Sequence, residues 1–540
     1  MVMNKGKCKA VPFWSLLVVM GFAVICFLFF QLVYPYHFFF KGQNQLFLMS
    51  WSYVGTLFAK PAWMACLMGE FLTQFYYYDY AGATILTATL IVLFGLSYWA
   101  VRSLQVKWLN KQMAIALALL VVVHEASCHL YFGYVLSSTF ALVGGLLVFV
   151  MLRRLMQLRW PWALMTVMLG TVAGYWMFGY GVWVFLLLSV IAVWKVTIPV
   201  AVVFTCLLPL LRSHYNLTFK DLCQYPGIGS WHAPASDREM DMHMMHSYEV
   251  GDWDDVVRTA EADPLLNGLR NRNVTQVMLS PEDRTSSSVR LFFYNLVQAQ
   301  RGRLPDVLLN YYPNYLGTFT SMVGQQIPMM LFMNLHEYYY AVGDLSYAER
   351  AAFMSCVCVP GNRNAYDVKR LAECALAKND SAPAEKYLKL LRQTIPYREW
   401  AENARNDNQY REKAKFINRQ DSVSPVENTH RVMTQLLRSN PENEVALDYM
   451  LCSLLLVKEL DNFKRDYDLF CTERPRVRRL YQEAMCIWLM SHGATEEEWQ
   501  WYIKDQEVVD RLQEYIADSG NPRFADTYWH YYDTFNFEPF

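Results

Sequence analysis

Residues 81–101 read AGATILTATLIVLFGLSYWAV, twenty-one positions without a charged side chain, closed by Arg102. About 20 apolar residues in a helix cross the hydrocarbon core of a bilayer, where helical backbone satisfies its own hydrogen bonds. This run sets the class of the first part of the chain. Towards the N-terminus a similar run covers 12–34, too long for the apolar core of a signal peptide and without a small-residue cleavage site, so it reads as a retained span. Towards the C-terminus further runs cover 112–131, 137–152, 161–178, 180–194 and 196–211. Residues 1–212 are thus expected to form a polytopic bundle of about seven transmembrane helices.

The charges divide the chain in the same place. Of 48 Lys and Arg and 49 Asp and Glu, residues 1–212 hold 13 basic side chains and three acids (Glu70, Asp79 and Glu125), leaving 35 and 46 beyond. A near-neutral whole is therefore a basic apolar anchor joined to an acidic tail. The tail lacks the basic excess that phosphate contacts need, so no nucleic-acid partner is expected. Basic residues alternate along the anchor: Lys5, Lys7 and Lys9, then Arg102, Lys107 and Lys111, then Arg153, Arg154 and Arg159, then Lys195. The turns near 131–138 and 178–181 carry no charge. By the positive-inside rule this alternation predicts a cytoplasmic N-terminus and, with seven spans, an extracytoplasmic tail; the assignment rests on parity. Residues 35–80 are too aromatic for a solvated loop, and the Phe71, Phe75, Tyr76, Tyr77, Tyr78 and Tyr80 cluster reads as one or two interfacial or re-entrant helices on the outer face.

After a connector at 213–237, residues 238–540 turn to amphipathic helices of 10–18 residues. In 366–378 and 384–394 apolar residues recur at helical spacing (Val368, Leu371, Ala372, Ala375; Ala384, Tyr387, Leu388, Leu391), with a turn at Asn379, Asp380 and Ser381. Val250-Gly251-Asp252-Trp253 and Val342-Gly343-Asp344-Leu345 read as one turn device used twice, with similar turns at Gly302 and at 460–462. Intervals of about 40 residues predict a helix–turn–helix solenoid, an architecture whose concave face binds peptide or protein. An all-α chain is expected throughout.

The segment 366–376 (YDVKRLAECAL), continuing through 384–391 (AEKYLKLL) to 397–401 (YREWA), resembles tetratricopeptide-type repeats. Taken with the multi-span N-terminus and the aromatic segment 69–75 (GEFLTQF), nearly the whole chain resembles an uncharacterised bacterial family of integral membrane proteins designated a domain of unknown function. The resemblance implies a bacterial inner-membrane location and brings no catalytic residue with it.

Ionisable residues in membrane segments are candidate functional groups, because lipid burial is costly. His124, Glu125 and His129 form H-E-x-x-x-H, one residue longer than the zinc-protease motif. That offset leaves the histidines about 140° apart around a helix, so they do not share a face. Glu70, Asp79, Glu125 and Arg212 are expected near one leaflet, which raises an alternative: a glycosyltransferase-like enzyme or transporter acting on a lipid-linked substrate. The chain lacks the acid between the first span and Glu70 that such enzymes usually keep. Asp241, His243 and His246 with His232, and Cys356, Cys358 and Cys374, can each be read as metal ligands, but their spacing suits a solvated helix start and packed small residues better. No nucleotide, dinucleotide or serine-hydrolase motif is present, and no cofactor or metal is expected. The sequence reading is therefore a membrane-anchored interaction protein, in contact with lipid, whose helical tail takes a protein or peptide partner.

Overall fold

The computed structural model describes residues 13–106, 109–227, 238–270, 280–311, 328–358, 363–414, 429–472 and 477–535. The chain is all-helical: no strand forms among the described residues, where Arg270 and Tyr311 make an isolated antiparallel bridge. It divides into two compact units, Met1–Glu239 with Arg392–Glu399, and Met240–Leu391 with Trp400–Phe540.

The first unit is built from α1 (Phe13–Leu32), α2 (Tyr36–Gln43), α3 (Trp51–Phe58), α4 (Trp63–Thr73), α5 (Ala81–Ser103), α6 (Lys111–Cys128), α7 (Leu136–Leu152), α8 (Trp160–Phe178) and α9 (Gly181–Leu207). Its core runs through Leu86, Leu90 and Leu93 of α5, Ala118 and Val122 of α6, Phe149 of α7, Val167 of α8 and Phe185 of α9. The opposite faces are just as apolar: Leu120, Val123, Leu169, Val172 and Leu187 are exposed. Helices apolar all round suit a non-aqueous surround. Small residues let backbones meet. A Cβ on Gly145 of α7 would stand 2.1 Å from the Gly181 carbonyl oxygen, and one on Gly69 of α4 would stand 2.4 Å from the Ser137 nitrogen.

Fewer helices qualify as spans than the sequence predicts. Three runs are long and apolar enough to cross a membrane: Ala81–Ser103, Lys111–Cys128 and Gly181–Tyr215. A fourth is added if Leu17–Leu32 and Tyr36–Gln43, bent by 75°, make one broken span. The expected seven are corrected to three or four, and the parity argument for the side of the tail falls with that count. The reasons are local. At 17 residues α7 is about 25 Å long, short of the ~30 Å core. The α8 segment is diluted by Trp, Gly, Thr and Tyr. The last two expected spans form one continuous helical run.

That run is not straight. At Val193 the backbone leaves helical geometry (φ −147°, ψ 57°). The rings of Trp183 and Phe204 lie 5.6 Å apart. Twenty-one residues of straight helix would separate them by about 31 Å. Thr197 Oγ1 donates to the Ser189 carbonyl at 3.1 Å, an approach that an unbroken helix also forbids. Both contacts are symmetric about residue 193, so α9 is a hairpin folded at Val193. Its second arm returns the chain to the end from which it set out: Trp183 Nε1 donates to the Cys223 carbonyl at 3.0 Å, Tyr175 Oη to that of Leu222 at 3.0 Å, and Tyr180 N to that of Tyr225 at 2.9 Å.

The two ends of the unit differ. At one, Arg153 Nε donates to the Ser103 carbonyl at 3.2 Å and Ser189 Oγ meets Met156 Sδ at 3.8 Å, which gathers Arg102, Arg154, Arg159 and the hairpin tip. At the other lie the end of α6, the starts of α5 and α7, and Tyr180, whose hydroxyl donates to the Ser138 carbonyl at 2.6 Å. Arg392–Glu399 joins the unit there: Tyr397 packs on Tyr77 at 5.3 Å, and Met49 N donates to the Gln393 carbonyl at 2.7 Å.

In the second unit consecutive helices pack in order: Leu335–Val342, Leu345–Cys358, Ala365–Ala377 and Ser381–Leu391, and again Thr429–Ser439, Glu444–Leu456, Leu460–Cys471 and Arg479–His492. The repeated turn device is present in both places. Gly251 (φ 81°) and Gly343 (φ 89°) end helices in the left-handed region that glycine enters at little cost. Asp252 and Asp344 then cap the next helices through Asp255 N (3.0 Å) and Tyr347 N (3.1 Å). The turn expected at 460–462 instead falls at Lys458 (φ 60°), and Leu460 opens the following helix. One packing exceeds a nearest-neighbour array: the buried helix Pro281–Gln300 also lies against Glu444–Leu456.

Candidate functional site

In α6 the buried positions are Ala114, Ala118, Val122, Glu125 and Cys128, a stripe of three- and four-residue steps. Glu125 belongs to the inward face of an apolar helix and is 3% exposed, while His124, one step around, is exposed. A buried carboxylate needs donors. Glu125 Oε1 accepts from Tyr134 Oη at 2.6 Å and from Thr139 Oγ1 at 2.7 Å. His129, buried just past the helix end, sets Nε2 2.8 Å from the same Thr139 oxygen. Thr139 has one hydroxyl proton and gives it to Glu125, so His129 Nε2–H is the donor in that pair. The result is a chain from His129 through Thr139 to Glu125, closed on its far side by Tyr134.

A second group adjoins it on α2. Lys41 Nζ donates to the His129 carbonyl at 2.8 Å. His37, one turn earlier and 1% exposed, has Nδ1 3.9 Å from Glu239 Oε2. Glu239 Oε1 accepts from Tyr36 N, so this carboxylate caps the start of α2. Burial pushes Glu239 up to about 7, against the pull of the Tyr36 and His37 amides and the Lys41 charge.

The remaining sequence candidates lie elsewhere. Glu70 is half-buried on α4, its carboxylate taken by the Tyr53 hydroxyl and its carbonyl by Gln45 Nε2 at 2.9 Å. Asp79 is exposed before α5, and Arg212 is exposed beyond the hairpin. Of the six candidates, Glu125 and His129 are brought into one network, while His124, Glu70, Asp79 and Arg212 stand outside it. Asp241 and His243 have separate partners: Asp241 pairs with Arg290 at 2.7 Å, and His243 Nε2 lies 2.8 Å from Asp255. His232 lies outside the described residues. Cys374 is buried whereas Cys358 is exposed. Among the described residues no three His, Cys, Asp or Glu side chains come together as a metal set.

The second unit holds a charged cluster of its own. His336 is fully buried, with Nδ1 3.2 Å from Glu337 and Nε2 3.2 Å from Asp367. Arg370 Nη2 grips Glu337 at 2.6 and 2.7 Å, Nη1 reaches Glu373 at 2.6 Å, and the guanidinium lies 4.1 Å over the Tyr340 ring. Tyr366 also donates to Glu337. Burial disfavours charge on an imidazole, but Asp367 and Glu337 outweigh it and hold His336 up at about 9. Burial likewise opposes charge on Glu337, and Arg370 with His336 holds it well below the usual carboxylate range. Sequence reasoning missed this cluster, because its members lie on separate helices at unremarkable spacing. Lys41 did carry a signal, as one of two cations, with Lys60, in an aromatic segment.

A model of a family of unknown function (DUF6057) matches residues 9–535. No curated protein matches the chain, and no solved structure does.

Proposed function

The chain belongs to this family of unknown function, and from its own residues we propose a membrane-anchored interaction scaffold: a helical anchor carrying an extracytoplasmic, tetratricopeptide-like helical unit that takes a protein or peptide partner. The carrying observation is how the anchor's ionisable groups are used. Glu125 is held by Tyr134 and Thr139, His129 by Thr139, and Glu70 by Tyr53. Chemistry on a lipid-linked substrate needs an acid free to meet it, with a cation alongside. Asp79 is exposed but stands outside the network, and Glu125 and Glu70 are closed on their neighbours, which favours packing. In-order helix packing and the twice-used Gly-Asp turn support the repeat reading of the second unit. Its extracytoplasmic side is supported by the α9 hairpin, which returns the chain to the end opposite Arg102, Arg154 and Arg159 before it leaves the first unit at Glu239. The test is affinity capture of the full chain from detergent-solubilised membranes. Specific proteins recovered equally by wild type and Glu125→Gln support the scaffold. Loss of a cellular phenotype in Glu125→Gln, at unchanged abundance and unchanged partners, would replace it with the lipid-substrate reading.

A further inference from the structure

We propose that the tip of the α9 hairpin, with the basic loop beside it, binds anionic phospholipid headgroups of the cytoplasmic leaflet. The inference rests on reading the first unit as membrane-embedded. Gly181 to Val193 is about 18 Å of helix and Val193 to Leu207 about 21 Å, so neither arm crosses a ~30 Å core. The neighbouring α8 measures depth. It packs along the first arm, with Gly170 against Phe185 and Gly174 against Val182, and its 19 residues extend about 28 Å. Those pairs put Val193 level with Trp162 and Ala163, so the turn lies within about 4 Å of the Trp160 end, beside Met156.

Trp194 and Lys195 occupy that turn, and both are exposed. At such a turn a lysine lays its stem along apolar surface while its ammonium reaches the headgroups. Arg154 and Arg159 are exposed in the adjoining loop, and Trp160 (72% exposed) and Trp162 (60%) follow them as interfacial tryptophans do. Met156 joins the two parts through its contact with Ser189. None of the three acids of residues 1–212 belongs to this end, so among the described residues 13–212 these three cations have no carboxylate beside them. Their complement is an anionic headgroup.

The test uses the full chain in nanodiscs containing a photoactivatable phosphatidylglycerol or the matching phosphatidylcholine, with crosslinked peptides mapped by mass spectrometry. The expected result is preferential phosphatidylglycerol labelling of 153–162 and 190–198, falling about fivefold for each of Lys195→Gln and Arg154→Gln and weakening with salt. Equal labelling by both lipids, or labelling unchanged in the variants, would overturn the headgroup site and leave the anchor reading intact. Failure of the chain to enter bilayers would overturn the anchor reading, and the headgroup site with it.

Discussion

Glu125 sits where an apolar stripe would otherwise hold a leucine, and two hydroxyls make its burial tolerable. Gln at 125 keeps an oxygen for Tyr134 and Thr139, so Glu125→Gln should leave thermal stability near wild type. Glu125→Leu strands both hydroxyls and should cost about 1–3 kcal/mol, read as a lower melting temperature in detergent. Equal melting of the Leu variant and wild type would refute the network. His336 gives the pH case. Its raised value means that the folded chain holds the proton more tightly than the unfolded one, so its stabilisation is complete below about 6.5 and is lost as pH rises through about 9. His336→Gln should therefore melt well below wild type at pH 6.5, and the gap should close by pH 9.5; a gap that stays constant would rule out charge as the cause. Part of this was legible beforehand. Helical offset alone separates His124 from His129, but nothing local tells Glu125 that Thr139 and Tyr134 will meet it. Those partners come from the next helix and the turn before it.

At the scale of elements, helix positions were readable and helix paths were not. The helices expected at 366–378 and 384–394 are Ala365–Ala377 and Ser381–Leu391, and the turn between them uses Asn379 at φ 57°. Apolar periodicity and capping residues are local, so sequence carries them. The reversal in α9 was legible in part: the runs 180–194 and 196–211 part at Lys195, two residues from Val193, but they read as two full spans and not as two short arms. Two substitutions test the packing. Leu388 is fully buried in Ser381–Leu391, and Leu388→Asp should destabilise the second unit by about 3–5 kcal/mol, because it leaves a charge buried without a partner. Gly145→Leu cannot be met by a rotamer change, since the first atom added strikes the Gly181 backbone. It should separate α7 from α9 and lower the yield of folded chain, while Gly95→Leu, where a Cβ meets nothing within 4 Å, should not. Equal yields from the two would refute the close crossing.

For the whole molecule the open quantity is the side of the membrane on which the chain ends, and it turns on α9. If α9 were one straight helix, it would carry the chain from Tyr180 to the end that holds Arg102, Arg154 and Arg159 and leave Arg212 among them. The hairpin removes that last crossing. It brings Leu222, Cys223 and Tyr225 back to Tyr175, Trp183 and Tyr180, at the end where Glu239 caps α2. A reporter active only in the cytoplasm separates the cases: fused near Gln105, beside Arg102, it should be active, and fused after Phe540 it should be silent. Activity at both sites would mean that α9 crosses once, against the Trp183–Phe204 contact, and would return the second unit to the cytoplasm. A third fusion within 154–159 should match the one near Gln105 whichever way α9 runs, because Arg153 holds the Ser103 carbonyl and so sets both loops at one end. Silence there alone would therefore fault the α5–α7 bundle, with the hairpin still standing.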